Sequence, residues 1–296
     1  MNRVGVIGTG AMGGGVVQSL VRAGFATLAR DIRREAQDLA VRHGAMPAAS
    51  AADLARSADA VVILVVDAGQ VETVLFGADG VTTAQPSPGI VLVSSTVDPA
   101  YVGDLAPRLA ARGIALLDAP VSGGPAKAAA GTMTMMVSGD AEAYARMRPV
   151  LERITGRLFA VGPRAGDAST FKIVNNLLAA ANLAAGAEAL AIAQAAGLDL
   201  RRVSEIVTAS SGASWIFGDR VPRALNGDYA PRAAATLLWK DVGIAESLAK
   251  RMGVDAPFTR LARSLFADTI AAGCGGEDDA VLVRRALEAA GRRAGP

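Results

Sequence analysis

Lys172 stands four residues before Asn176 in the run Thr170-Phe-Lys-Ile-Val-Asn-Asn176. On a helix this spacing sets an amine and an amide on one face, one turn apart. An amine can carry a proton, and an amide can orient a hydroxyl or carbonyl. The usual proton carrier is scarce, because the chain has a single histidine, His43, which reads as an exposed residue near a helix C-terminus. Lysine at its reference pKa of about 10.4 is a poor base and needs burial or a second cation to depress it. Lys240 is a candidate for that second cation.

A glycine fingerprint supplies the redox half. Gly8, Thr9, Gly10, Ala11, Met12 and Gly13 follow an apolar strand and open a helix. Gly8 permits the tight turn, Gly10 lets backbone approach a pyrophosphate, and Gly13 allows close helix–strand packing. The helix N-terminus then offers its unpaired N–H groups to the phosphates. Asp31 lies 23 residues after Gly8, at the end of the second strand, where a carboxylate accepts from adenosine ribose hydroxyls. NAD is therefore preferred, with NADP possible if Arg33 or Arg34 turned inward to clamp a 2′-phosphate. As the start of a surface helix, both arginines are expected to be solvated.

Further candidates leave the carboxyl ends of strands, where ligands collect in such sheets. Val66 follows one strand, and Ser95 and Thr96 follow another. Either hydroxyl caps the next helix, bonds the nicotinamide ribose, or does both. Ser122, Gly123 and Gly124 are consecutive small residues whose N–H groups could form a concavity for a carboxylate. A dinucleotide site with a lysine proton carrier suits reversible hydride transfer between an alcohol and a carbonyl. A non-catalytic NAD-sensing module is the rival from another class, and the retention of Lys172, Asn176 and Lys240 together argues against it.

The elements that must position these residues follow from periodicity. Candidate strands are 4–7, 26–30, 60–66, 90–94, 114–117, 133–137 and 158–161, alternating with amphipathic stretches in a βαβ pattern. The run Val61-Val-Ile-Leu-Val-Val66 is apolar on both faces, as a covered central strand should be. Gly24 reads as a residue just past a helix end, Ser50-Ala-Ala-Asp53 as a capping box, and Pro99 as a helix first-turn residue. From Gly162 the texture becomes helical, with helices expected at 165–196, 200–208, 232–252, 257–272 and 278–290, Gly197 ending the first and Asp199 capping the second. The fold class is thus an α/β Rossmann-type N-terminal domain (1–162) followed by an all-α C-terminal domain (163–296), joined by a long helix. The active site is expected at the domain cleft. The tail 292–296 is expected to fray.

Composition narrows the partners. The 296 residues carry 30 basic and 28 acidic side chains, intermixed, so no electrostatic footprint suggests nucleic acid or membrane. The apolar stretch 177–196 contains Asn182, Glu188 and Gln194, which favours a buried helix over a span. One cysteine, Cys274, suits a reducing cytosol, and a cytoplasmic protein is expected. No metal site is expected: Met133, Met135 and Met136 read as strand packing, and Glu277-Asp-Asp279 as the start of the last helix. Ser214-Trp-Ile-Phe217 and Trp239 are expected to line or pack near the pocket.

Four ordered motifs carry a resemblance spanning essentially the whole chain. Gly8–Gly13, Asp118-Ala-Pro-Val-Ser-Gly-Gly124, Lys172 with Asn175-Asn176, and Lys240-Asp241-Val-Gly243 resemble the signatures of the β-hydroxyacid dehydrogenases, the 3-hydroxyisobutyrate dehydrogenase-like family. The resemblance implies NAD(P)-dependent oxidation of a small hydroxy acid, or reduction of the matching semialdehyde with NADPH. It makes Lys172 catalytic, Asn176 a substrate-orienting partner, and Ser122, Gly123 and Gly124 the carboxylate cradle. It further makes Lys240 a residue closing over nicotinamide and substrate, with Asp241 holding that segment. A homodimer or homotetramer is also implied. Two positions depart from the family pattern, Ala168 and Lys127, where glycine is usual. A cation at Lys127 suits a polyhydroxylated acid, as in the branch resembling L-threonate dehydrogenases.

Overall fold

A computed structural model describes residues 2–293, which divide into two compact units, Met1–Lys172 and Ile173–Pro296. In the first unit the strands are β1 (Arg3–Ile7), β2 (Ala26–Arg30), β3 (Met46–Pro47), β4 (Ala60–Ile63), β5 (Ile90–Val93), β6 (Ala115–Asp118), β7 (Val121–Ser122), β8 (Met133–Gly139) and β9 (Thr155–Gly162). They form one sheet in the order β3-β2-β1-β4-β5-β6-β8-β7, with β9 on the other edge of β8. The six strands from β3 to β6 are parallel, β8 runs antiparallel to β6, and β9 is parallel to β8. This is the doubly wound order, with its switch point between β1 and β4, where ligands bind outside the strand ends.

The period of two explains the layers. Val4, Val6, Ala60, Val62, Ile90 and Leu92 face one core, shared with α1 (Ala11–Arg22), α2 (Arg34–Arg42), α6 (Gly124–Ala130) and α7 (Ala141–Ile154). Their neighbours Ile7, Val61, Ile63, Val91 and Val93 face a second core with α3 (Ala51–Ser57), α4 (Ala68–Phe76) and α5 (Pro99–Ala110). Both faces are covered, so the strands are apolar throughout. The sequence extended β4 to Val66, but the strand stops at Ile63 and the chain turns outward towards the α4 cap Asp67. The expected capping box at Ser50 forms in part. Ser50 accepts from the Asp53 N–H at 3.1 Å, while Asp53 reaches one residue further back, to the N–H of Ala49 at 2.9 Å.

Helix α8 (Asp167–Ala195) contains the division between the two compact units, which falls after Lys172. Its first turn is bonded to the sheet, which is why the sheet unit extends into it. α8 is the one described helix long and apolar enough to cross a membrane, with mean hydropathy 1.4. It is a core helix, burying Leu183, Ala187 and Leu190 with Phe217, Val221, Leu238 and Phe266.

The second unit continues with α9 (Leu200–Thr208), α10 (Trp215–Leu225), α11 (Ala235–Arg251), α12 (Pro257–Thr269), a π turn at Ile270–Cys274, and α13 (Val281–Arg293). α10 was not expected. Ser214 caps it by accepting from the Phe217 N–H, and Ile216 and Phe217 are buried in the helical core while Trp215 is exposed. α13 runs through Arg293, so the expected fraying does not begin at 292, and residues 294–296 lie outside the described residues.

Asp278 and Asp279 do not begin the last helix, which starts at Val281. They are buried with Arg220 and Arg223 from α10. Arg220 pairs tightly with Asp279, and Arg223 Nη1 lies 3.2 Å from Asp278. Asp278 also accepts from the N–H groups of Arg232 (2.9 Å) and Ala233 (3.2 Å), which anchors the irregular approach to α11. Burial pushes Asp279 up to about 6 against the pull of Arg220. Removing one partner of such a cluster leaves an uncompensated charge and costs roughly 3–5 kcal/mol. Arg220→Ala is expected to lower stability to urea by about 3 kcal/mol at pH 7.5. At pH 5 the loss should shrink, because Asp279, at about 6 in the intact protein, is then largely protonated with or without Arg220 and the charge pair contributes less. An equal loss at both pH values would contradict this reading.

Candidate active site

The loop after β1 is shaped by close approach. Gly8 has φ +87°, and a Cβ there would lie 2.5 Å from the Leu64 carbonyl oxygen. A Cβ on Gly13 would fall 1.8 Å from the Gly8 oxygen, so α1 can start here only without one. Gly10 is the α1 N-cap and provides no side-chain acceptor, which leaves the first-turn N–H groups for a bound phosphate. Thr9 Oγ1 is buried in the same loop with no hydrogen-bond partner. These features fit a dinucleotide pyrophosphate.

Asp31, directly after β2, is buried and accepts from the Thr9 N–H at 2.7 Å and the Arg33 N–H at 2.9 Å. Burial alone would raise its pKa, but the hydrogen bonds from Arg33 and Thr9 outweigh that and hold the carboxyl below the usual range. Asp31 is therefore an anion at neutral pH. Arg33 is largely exposed, as the sequence implied, but its side chain is tied to Asp31. Its Nε lies 3.3 Å from Asp31, and its Nη2 would be 2.8 Å from a Cβ on Gly10, so the guanidinium reaches over the fingerprint loop. Arg34 does point to solvent, pairing loosely with Asp38.

The strand-end loops are tied to one another. Ser95 Oγ accepts from the Val65 N–H at 2.9 Å, and the Val66 N–H donates to Gln70 Oε1 at 2.9 Å. Neither Ser95 nor Thr96 caps α5. Asp98 does, accepting from the Ala100 N–H at 2.9 Å, because Pro99 fixes the first helical residue three positions beyond Thr96. Ser122 ends β7, paired with Thr134 of β8, and Gly123 (φ +126°) and Gly124 (φ +80°) turn the chain into α6. Lys127 of α6 lies across this turn, its Cδ 2.9 Å from where a Gly123 Cβ would be.

Lys172 belongs to the sheet unit and is buried, 8% exposed, in the second turn of α8. One turn earlier on the same helix, Asp118 at the end of β6 accepts from the N–H groups of Gly166 (3.0 Å) and Ser169 (2.8 Å) and from Ser169 Oγ (2.7 Å). Sequence reasoning quoted Asp118 within its motif without giving it a task, since its partners are about fifty positions away. Ala168, the departure from the family's glycine, is fully buried, and its N–H is bonded to Ser138 Oγ at 3.0 Å.

In the helical unit, Asn176 is 8% exposed and its amide is held at both ends. Asn175 Nδ2 donates to Asn176 Oδ1 at 3.0 Å, and Asn176 Nδ2 donates to Asp241 Oδ2 at 2.6 Å. Asp241 also takes Lys240 Nζ at 2.8 Å on its other oxygen. The aspartate therefore does more than brace its own segment: it joins Asn176 to Lys240. Its charge also offsets that of Lys240, which weakens Lys240 as a cation acting on a second amine. Trp239 is half-buried beneath the Arg263 guanidinium, 5.3 Å from the ring centre.

Residues 3–162 match the NAD binding domain of 6-phosphogluconate dehydrogenase, and residues 166–286 match the NAD-binding region of NADP-dependent 3-hydroxyisobutyrate dehydrogenase. The chain is 44% identical to an L-threonate dehydrogenase of Cupriavidus necator, across 95% of each chain. It is 36% identical to an NAD-dependent L-serine dehydrogenase of Pseudomonas aeruginosa, across 90% of this chain and 91% of that one. A crystal structure of 3-hydroxyisobutyrate dehydrogenase from Salmonella typhimurium superposes with a TM-score of 0.88 at 40% identity, covering 96% of this chain and 99% of that one.

Asp31→Ala removes both the acceptor that fixes the Thr9 N–H and the carboxylate beside the fingerprint loop. Fluorescence titration should show NADH affinity falling by about tenfold or more, roughly 1.4 kcal/mol, with unchanged circular dichroism. Affinity within twofold of the unaltered protein would contradict the assignment.

Proposed function

This chain belongs to the family of NAD(P)-dependent hydroxyacid dehydrogenases, and we propose that it oxidises a small polyhydroxy acid of the L-threonate type with NAD as hydride acceptor. The observation that carries the reading is the burial of Lys172 and Asn176, one turn apart on α8. A lysine on an alanine-rich helix is normally solvated, so its burial here beside a buried amide supports it as the proton carrier.

When bound, NAD supplies the site that accepts a hydride from the carbinol carbon. Lys172 Nζ takes the hydroxyl proton as that hydride leaves, and in the reducing direction the ammonium returns it to the carbonyl oxygen. Asn176 keeps one N–H and one oxygen lone pair beyond its two internal bonds, and these orient the substrate oxygen. Ser122, Gly123 and Gly124 hold the carboxylate, and Lys127 beside them favours an acid with additional hydroxyls. Gly8 to Gly13, Asp31, Val66, Ser95, Thr96 and Lys240 bind the dinucleotide. Ionised Asp31 disfavours a 2′-phosphate and supports NAD. The Arg33 guanidinium beside Asp31 supports a second reading, an NADPH-preferring semialdehyde reductase, in which that guanidinium exchanges Asp31 for the phosphate.

The protein is proposed to act in the cytoplasm as a homodimer or homotetramer. Phe258 and Leu261 of α12 are 74% and 57% exposed, apolar area that a second copy could cover. A light-scattering mass of one chain at micromolar concentration would contradict this.

General acid–base groups contribute about 10²–10⁴-fold. Lys172→Ala should therefore lower kcat by at least about a hundredfold while NADH binding persists, and near-normal turnover would reject the assignment. A panel of L-threonate, 3-hydroxyisobutyrate, glycerate and serine with each cofactor should give its highest kcat/KM for L-threonate with NAD. A preference for serine, or for NADP, would overturn the substrate or cofactor half separately.

A further inference from the structure

The start of α8 has four N–H groups to satisfy and no capping side chain of its own, because the residue before Asp167 is Gly166. All four are answered, two of them by one remote carboxylate. Gly166 N and Ser169 N donate to Asp118 at 3.0 and 2.8 Å, Ala168 N to Ser138 Oγ at 3.0 Å, and Asp167 N to the Arg164 carbonyl at 3.2 Å. Ser138 Oγ in turn donates to Asp118 at 3.3 Å. Gly166 has φ +98°, and a Cβ there would lie 2.5 Å from the Pro99 oxygen, so the turn is also pressed against the head of α5.

A serine or aspartate next to the helix would have capped it at the surface. Asp118 is instead fully buried, at the desolvation cost that entails. What the remote arrangement adds is register. β6 ends at Asp118, and four residues later the same chain forms the cradle at Ser122, while three residues beyond Ser169 stands Lys172. We propose that Asp118 is a positioning residue for hydride transfer, a carboxylate that caps the α8 helix in trans and thereby fixes the Lys172 amine relative to the substrate cradle. The division of the chain after Lys172 agrees with this, since the amine belongs to the sheet unit and not to the helical one.

Burial pushes the Asp118 carboxyl up, and the donors from Ser169, Gly166 and Ser138 only partly offset it. The donors to Asp118 above are neutral N–H and O–H groups, so geometry is what the residue supplies, and asparagine should reproduce it. Its oxygen can take the two backbone N–H groups while its amide faces Ser169 Oγ, which turns to accept.

The test compares Asp118→Ala with Asp118→Asn. Misplacement by about 1 Å can cost a hundredfold in rate. Asp118→Ala should therefore lose about a hundredfold in kcat, with NADH affinity within twofold, and amide exchange at 168–170 should accelerate in the protein without ligands. Asp118→Asn should restore kcat to within about threefold and restore protection. If Asp118→Ala fails to fold, Ser138→Ala combined with Ser169→Ala removes both hydroxyls and leaves the carboxylate, and should lower kcat by about tenfold with faster exchange at 168–170. Unchanged kcat in whichever of these folds, or an asparagine variant as impaired as the alanine one, overturns the proposal. The kinetic arm rests on the dehydrogenase reading. The exchange arm does not, so an inactive parent protein would sink that reading while exchange still decided whether Asp118 holds the helix.

Discussion

A long helix that begins against a sheet must find acceptors for N–H groups that its own backbone cannot satisfy. In this protein β6 and β8 provide them through Asp118 and Ser138, and the remaining chemistry follows from that attachment. The second turn of α8, with Lys172, belongs to the same compact unit as the fingerprint loop and the Ser122 loop. Without it, α8 would be an alanine-rich helix whose lysine had no fixed place relative to any ligand.

The buried charges divide by what surrounds them. Asp31 is held ionised by donors from Thr9 and Arg33, which fits the ribose acceptor proposed above. Asp118 is so deeply placed that its donors do not fully offset burial, which suits a structural acceptor. Asp241 shares its two oxygens between Asn176 and Lys240, ordering an amide and a cation with one carboxylate. Asp278 and Asp279 fasten the approach to α11, the helix that bears Lys240 and Asp241, through Arg220 and Arg223. One residue type serves as ligand acceptor, helix cap, orienting group and structural clasp, according to burial and neighbours.

Much of this was legible in the sequence. Short apolar runs pointed to β1, β2, β4, β5, β6, β8 and β9, and the glycine spacing to the cofactor loop, because both depend on residues adjacent in the chain. Asp199 capping α9 and Gly197 closing α8 were equally local. The two-residue strands β3 and β7 are too short for a periodic signal. α10 was obscured by Trp215 and Pro222, although Ser214 three residues before Phe217 is a capping cue in retrospect. Arg33 turning onto Asp31, Asp118 capping α8, and Asp241 bridging Asn176 and Lys240 depend on where distant or flexible groups finally point. No window of sequence contains that information.

The most direct measurement is a crystal structure of the protein with NAD and a slow or unreactive hydroxy acid bound together. The account predicts Lys172 Nζ within about 3 Å of the substrate hydroxyl, the reach a proton transfer requires. An amine turned away from that oxygen, with another side chain or no protein group beside it, would contradict the central claim.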